Sequence, residues 1–252
     1  MNTTSVAVLL IGNEILEAQV IERNYIPIAR SVQQKGIFVG EVRIVRDLEA
    51  AIITAVQELS KRYAYVICAG GIGPTHDDIT LESVAKAFDQ PIEQNEAMTK
   101  FLLKRNSDMN DAREKMAHLP VGSTLLQEND DMWPVISFQN LFILPGLPPV
   151  LTAMMPCVVA QLPMMGQIHY GYVVINQSEQ DFAQFLDDLQ KQNPSVLIGS
   201  YPSFETKTVK ISLTCIDEEP AERCYANILE YFGGSILEKH AIGLLVLDHS
   251  KQ

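Results

Sequence analysis

A glycine-rich segment followed by two aspartates, CAGGIGPTHDDIT at residues 68–80, carries the residue types best suited to chemistry in this chain. Gly70, Gly71 and Gly73 permit backbone conformations and close approaches that a Cβ atom would block. Backbone N–H groups exposed just before a helix form a cradle for an anion such as phosphate, and Thr75 adds a hydroxyl group. The segment therefore predicts a phosphate-binding loop.

The adjacent carboxylates of Asp77 and Asp78 would repel a bare phosphate bound at that loop. A divalent cation resolves the conflict, because hard oxygen ligands suit Mg²⁺ and similar ions. Alternatively, one of the two aspartates only caps the helix that follows, since aspartate is a frequent N-cap residue. The residues alone leave both interpretations open, and both can hold at once.

Three further side chains are candidates for the same chemistry. Asp47 follows a predicted strand and begins a predicted helix, a position where a simple cap is the commoner role. Glu14 follows the first strand, where a carboxylate is less needed for capping. His76 can bond a ligand or act as a weak base, although a lone loop histidine is more often solvated. No nucleophile elbow, Walker loop or zincin motif is present in the sequence.

The elements that position these residues follow from the hydrophobic pattern. Strands are predicted at 5–11, 37–45, 64–68, 135–138 and 141–144, and helices at 24–34, 47–62, 81–88, 93–104, 111–118 and from LPGLPP to about 162. This alternation predicts an α/β fold, a mostly parallel sheet with helices on both faces. Ligands bind beyond the carboxyl ends of such strands. Four loops fall there, at 12–18, 46–47, 70–80 and 145–149.

The rest of the chain has a different organisation. Residues 163–171, rich in Met, Gly and Pro, predict a linker between domains at 1–165 and 170–252. Strands at 172–175, 195–198 and 208–216, helices at 178–190 and 220–232 and a last strand follow. This β-α-β-β-α-β order predicts a small α+β domain of the ferredoxin-like type.

Composition limits the functional class. The formal net charge of −12 over 252 residues argues against a nucleic-acid partner, which would call for a basic face. The four cysteines form no CxxC pair, as expected of a reducing compartment. The N-terminal apolar run is too short to span a membrane. We therefore expect a cytoplasmic protein with a small-molecule ligand and no membrane partner.

Several of these motifs together resemble a known family. GNEIL with Asn24 downstream, VRD at 45–47, GGIGPTHDDIT and LPGLPP resemble the molybdopterin-binding fold of the MoaB/MogA group and, more closely, the N-terminal half of CinA. IGSYPSF at 198–204 is similar to the region after the corresponding domain of eukaryotic FAD synthase. The resemblance covers about residues 5–240 and implies a homo-oligomer.

The resemblance also implies the ligands and the site. It implies either a pyrophosphatase for ADP-ribose or FAD that uses Mg²⁺, Mn²⁺ or Co²⁺, or a protein that binds molybdopterin. The residues that it places at the nucleotide or pterin phosphate are Gly12, Glu14, Asn24, Gly70, Gly71, Gly73, Thr75, Pro145 and Gly146. It gives catalytic roles to Asp47 and Asp78, and we expect a metal ion at Asp47, Asp77 and Asp78.

The chain departs from the family pattern at a few positions. Asn13, Ala18, Glu22-Arg23 and Val150 replace, in order, threonine, glycine, Asp/Asn-Thr and glutamate. The 252 residues include neither an amidase nor an adenylyltransferase segment, so we expect neither activity of them. The leading hypothesis is a metal-dependent pyrophosphatase. The second is a binding module without turnover, which the changes at Asn13 and Val150 favour.

Overall fold

The computed structural model describes residues 5–105 and 108–245. Within it the chain divides into two compact units between Pro163 and Met164. The linker is shorter than the one predicted for 163–171, because a strand of the second unit already begins at His169. Each unit buries its own set of apolar residues.

The first unit contains a six-stranded sheet and the helices that cover it. Its elements are β1 (Val6–Ile11), α1 (Asn13–Leu16), α2 (Tyr25–Gln33), β2 (Val39–Val45), α3 (Glu49–Arg62), β3 (Tyr65–Ala69), α4 (Thr80–Ala87), β4 (Ile92–Gln94), α5 (Glu96–Arg105), α6 (Asp111–Ala117), β5 (His118–Pro120), β6 (Thr124–Leu126), β7 (Val135–Phe138), β8 (Leu141–Leu144) and α7 (Pro148–Gln161).

The strand order in this sheet is β2-β1-β3-β8-β7-β6. Strands β2, β1, β3 and β8 run parallel, and β7 and β6 run antiparallel to their neighbours. Alternate residues of β1 enter two different cores: Leu9 packs with residues of α3, and Leu10 with residues of α2 and α7. The prediction of a mostly parallel sheet with helices on both faces is therefore confirmed.

One helix begins later than its apolar pattern predicts. The first two residues of the helix expected at 93–104 belong instead to β4, which pairs antiparallel with β5. The helix itself starts at Glu96. The physical reason is a local cap, because the side chain of Asn95 accepts a hydrogen bond from the backbone N–H of Met98 at 3.0 Å.

The second unit has the predicted β-α-β-β-α-β order. Its elements are β9 (His169–Ile175), α8 (Glu179–Gln192), β10 (Leu197–Ser203), β11 (Thr208–Cys215), α9 (Glu218–Phe232), a 3₁₀ turn (Gly233–Ser235) and β12 (Ile236–Leu244). The strands pair antiparallel in the order β10-β11-β9-β12. Residues of β9 are alternately buried and half-buried, as expected when helices cover one face. The ferredoxin-like prediction is confirmed.

Candidate functional site

The four loops that were expected to converge do so. Because β2, β1, β3 and β8 are parallel neighbours, their carboxyl ends share one edge of the sheet. Direct hydrogen bonds join the strand ends there. The N–H of Gly12 donates to the carbonyl oxygen of Val45 at 3.1 Å, and the N–H of Gly70 donates to the carbonyl oxygen of Leu144 at 3.1 Å. We call this place the strand-end edge.

Asp47 connects the loop after β2 with the loop after β1. Its Oδ2 atom accepts a hydrogen bond from the backbone N–H of Asn13 at 2.8 Å. The N-cap residue of α3 is Leu48, and no side chain bonds that helix start. The interpretation of Asp47 as a simple cap is therefore wrong, because its carboxylate is held by a strand-end loop 34 residues earlier in the chain.

Two glycines let the loop after β3 approach the other loops. Gly70 has φ +109, and an added Cβ would lie 2.1 Å from the carbonyl oxygen of Ile11. At Gly71, with φ +66, an added Cβ would lie 2.2 Å from Oγ1 of Thr80 and 3.5 Å from Oδ1 of Asp47. Both positions therefore require glycine, and the carboxylate of Asp47 lies beside the backbone of the glycine loop.

Thr80, a residue that sequence reasoning missed, fixes the far end of this loop. Thr80 is fully buried. Its hydroxyl donates to the carbonyl oxygen of Gly70 at 2.9 Å, and its N–H donates to the carbonyl oxygen of Gly71 at 3.0 Å. The N-cap of α4 is Ile79, without a side-chain bond, so neither aspartate of the loop is its cap. The signal available in the sequence was a threonine at the start of a predicted helix.

Asp78 fills the cradle that the sequence predicts for phosphate. Its Oδ2 accepts the backbone N–H of Thr75 at 2.9 Å and lies 2.5 Å from the threonine hydroxyl. That hydroxyl also lies 2.6 Å from Oδ1 of Asp77. An added Cβ at Gly73 would lie 2.6 Å from Oδ2 of Asp78. The pKa of Asp77 lies below its usual value, mainly because its carboxylate accepts this hydrogen bond from Thr75.

Asn24 joins the first loop to the loop after β8. Its Nδ2 donates to the carbonyl of Gly146 at 3.0 Å, and the side chain is buried. An added Cβ at Gly146 would lie 3.3 Å from Cα of Gly70, so this loop also meets the glycine loop. Pro145 stands between β8 and Gly146, half-buried at the same edge.

The remaining predicted side chains are open to solvent. Glu14 is exposed, and its carboxylate lies close to Gly12, where an added Cβ would be 2.5 Å from Oε1. The side chain of His76 is 98% exposed, and its Nδ1 is 3.9 Å from Oδ1 of Asp77. His76 is therefore a solvated loop histidine, the commoner of the two roles considered for it.

Ala18, for which the family motifs predict glycine, lies in an unusual backbone conformation, with φ +55. This left-handed conformation costs an L-residue about 1–2 kcal/mol relative to glycine. The loop after β1 thus has a backbone that suits glycine at a position that alanine occupies.

The structure does not gather the three expected metal ligands into one cluster. Across residues 5–105 and 108–245, no group of three or more His, Cys, Asp or Glu side chains is arranged to hold a metal ion. Asp77 and Asp78 both contact Thr75, whereas Asp47 bonds Asn13. Carboxylates from two separate loops are therefore available at the strand-end edge.

No helix within the described part of the chain combines the length and the apolar character needed to cross a bilayer.

Several known proteins are similar to this chain. A protein of Pyrococcus abyssi is 30% identical over 236 residues, covering 86% of this chain and 92% of its own. A probable FAD synthase of Caenorhabditis elegans is 29% identical over 93% of this chain, but only 51% of the relative is covered.

The solved structure of CinA from Thermoplasma acidophilum, a protein described as of unknown function, is also similar. It has 28% identity and a TM-score of 0.55, and covers 61% of this chain and 94% of that one. The model of the FAD synthase middle domain matches residues 167–240. A model described as "Probable molybdopterin binding domain" matches residues 7–180, and the chain belongs to this family, as its motifs predicted.

Proposed function

We propose that the strand-end edge binds the phosphates of a nucleotide and hydrolyses the pyrophosphate linkage of a compound such as ADP-ribose or FAD with the help of a divalent cation. The observation that carries the proposal is the position of Asp47 beside the backbone of Gly71. Asp47 and Gly71 are 24 positions apart in sequence. They lie side by side at the edge where a phosphate would contact backbone N–H groups.

The residues at this edge suit hydrolysis of a phosphate anhydride. Water attacks one phosphorus, the bond from that phosphorus to the bridging oxygen breaks, and ADP-ribose yields AMP and ribose phosphate. If phosphate replaced the carboxylate of Asp78, the N–H and hydroxyl groups of Thr75 would stabilise the charge that grows on the phosphate oxygens. Asn24 holds the loop after β8 against this surface through Gly146.

The carboxylates fit a cation that the ligand helps to bind. Mg²⁺ typically uses one or two protein carboxylates together with phosphate oxygens and water, so a complete protein cluster is not required. Asp47 and Asp78 would hold the ion, with Asp77 next to them. When bound, such an ion polarises the phosphoryl oxygens and lowers the pKa of water.

A specific observation also favours a second function, binding of a nucleotide or pterin phosphate without turnover. The carboxylate of Asp78 already bonds the N–H and the hydroxyl of Thr75, two groups that catalysis would direct at phosphate. Asn13 and Val150 further separate this chain from the family pattern. The names of similar proteins, a probable FAD synthase among them, support a nucleotide ligand under either function.

The deciding experiment is a chromatographic assay of the purified protein with ADP-ribose and, separately, FAD. Each substrate is incubated with Mg²⁺, Mn²⁺ or Co²⁺, and in parallel with EDTA. Asp47→Asn removes a charge from the site, and Glu82→Gln removes an exposed charge from α4 outside it. We expect AMP only when metal is present, in the wild type and Glu82→Gln but not in Asp47→Asn.

The two functions lead to different results. AMP release that requires metal and Asp47 supports the pyrophosphatase. Absence of product under all conditions, with binding of either nucleotide measured by calorimetry, supports the binding module. AMP release that persists in Asp47→Asn would contradict the assignment of the site.

A further inference from the structure

We propose that Lys115 binds the phosphate of the ligand at the glycine loop and so distinguishes phosphorylated from unphosphorylated compounds. This inference rests on the proposed function and adds a specificity-determining residue to it. The ammonium group of Lys115 donates a hydrogen bond to the carbonyl oxygen of Thr75, 40 positions earlier in the chain. Thr75 is also the residue whose N–H and hydroxyl groups bond Asp78.

The fold holds Lys115 at this loop. Its helix, α6, is capped by the side chain of Asn110, which accepts the N–H of Arg113 at 3.0 Å. The last residue of the helix, Ala117, is fully buried, and Met116 packs against the same core. Lys115 is therefore a half-buried side chain on a well-anchored helix, and its amino group reaches the loop.

Two other basic groups near the loops are already paired with carboxylates. Arg46, just after β2, forms an ion pair with Glu17 at 2.9 Å. Lys86 of α4 bonds the carboxylate of Glu49. A phosphate that recruited either cation would have to break an ion pair, so these two groups are poorly placed to recognise it.

Lys115 has no such competitor. Among the described residues it forms no ion pair, and its bond is to a neutral carbonyl. A phosphate oxygen carries negative charge and attracts the ammonium group more strongly than a neutral carbonyl oxygen does. An ammonium group has three donors. Lys115 can therefore bind a phosphate oxygen and keep its bond to the carbonyl of Thr75, or exchange that bond for the phosphate.

Lys115 also addresses the charge conflict in the loop. Asp77 and Asp78 would repel an incoming phosphate, and the positive charge of Lys115 opposes that repulsion from the protein side.

The test is calorimetric titration of the whole protein with ADP-ribose and with adenosine, which lacks phosphate. Lys115→Met keeps the length of the side chain without its charge, Lys115→Arg keeps the charge, and Lys100→Met removes an exposed lysine of α5 as a control. We expect Lys115→Met to weaken ADP-ribose binding about 10- to 100-fold. Adenosine binding should stay unchanged, and Lys115→Arg should recover most of the affinity.

Three results would overturn the inference. If Lys115→Met weakens ADP-ribose and adenosine equally, the lysine only holds the loop in shape. If the wild type binds ADP-ribose but Lys115→Met binds it just as well, the inference fails while the proposed function stands. If the wild type binds none of these compounds, the proposed function fails first and this inference with it.

Discussion

The carboxylate of Asp78 accepts the backbone N–H of Thr75 at 2.9 Å, within the loop that the sequence predicts for phosphate binding. The protein thus supplies its own anion to the cradle. A phosphate can occupy the same donors only if Asp78 turns away, and a cation that binds Asp78 would favour that change. Cation and phosphate binding should therefore be coupled at this loop.

Replacement of Asp78 tests whether its charge serves chemistry or only the loop. Asp78→Asn keeps an oxygen that can accept the N–H of Thr75, whereas Asp78→Ala does not. We expect both variants to lose turnover about 100-fold or more, while the free energy of unfolding falls by no more than about 1 kcal/mol. Turnover of ADP-ribose and urea unfolding measure the two effects, and retained turnover in either variant would contradict the role of Asp78.

Two variants of Asp47 distinguish its effect on stability from its effect on turnover. Asp47→Ala leaves the partly buried N–H of Asn13 without its partner, which should lower the free energy of unfolding by about 1–2 kcal/mol. Asp47→Asn can still accept that bond and should be nearly as stable as the wild type. We expect both to lose turnover. Equal stability of the two variants in urea would show that the bond to Asn13 contributes little.

The glycines of the loop can be tested against a matched position. Gly70→Ala places a Cβ 2.1 Å from the carbonyl oxygen of Ile11 at φ +109, and we expect it to cost about 2–4 kcal/mol. Gly122→Ala is the control, because Gly122 has φ +92 but no atom within 4 Å of an added Cβ. It should cost about 1 kcal/mol. Similar urea midpoints for the two variants would mean that the loop relaxes away from β1.

Ala18 offers a change toward higher stability. Glycine relieves the strain of φ +55 but increases the entropy of the unfolded chain, so Ala18→Gly should gain about 0.5 kcal/mol. The same change at Ala112, inside α6, should instead cost about 1 kcal/mol. Thermal unfolding of both variants checks the opposite signs, and destabilisation by Ala18→Gly would count against strain at this residue.

The buried thiol of Cys68 should make the protein less stable at alkaline pH. Burial raises the pKa of this thiol from 9.0 to about 12. Between these values the unfolded chain releases the thiol proton and the folded chain keeps it, so stability falls as pH rises, by up to about 1.4 kcal/mol per pH unit. Below pH 9 the thiol has no effect. Cys68→Ala lacks this contribution, and urea unfolding of both proteins at pH 8.5 and 10.5 should show a shallower decline in the variant.

Local patterns in the sequence were sufficient for most of the fold. The continuous apolar runs that became β1 and β3 predicted strands covered on both faces, and alternation with helices predicted a parallel sheet whose loops meet at one edge. Glycine at 70 and 71 marked a close approach of the backbone. These inferences succeeded because burial and glycine conformations depend mainly on residue type and short-range spacing.

The sequence by itself therefore determined the two domain types and the edge of the sheet at which the strand-end loops meet. Only the tertiary structure decided what each charged group does there. Asp47 looks like a cap in sequence, yet the register that places Leu10 beside Ile44 brings its carboxylate to Asn13. Lys115 gave no local signal at all, because its contact with Thr75 depends on the packing of segments 40 residues apart. Partners of a side chain are set by distance in space, which spacing along the chain does not reveal.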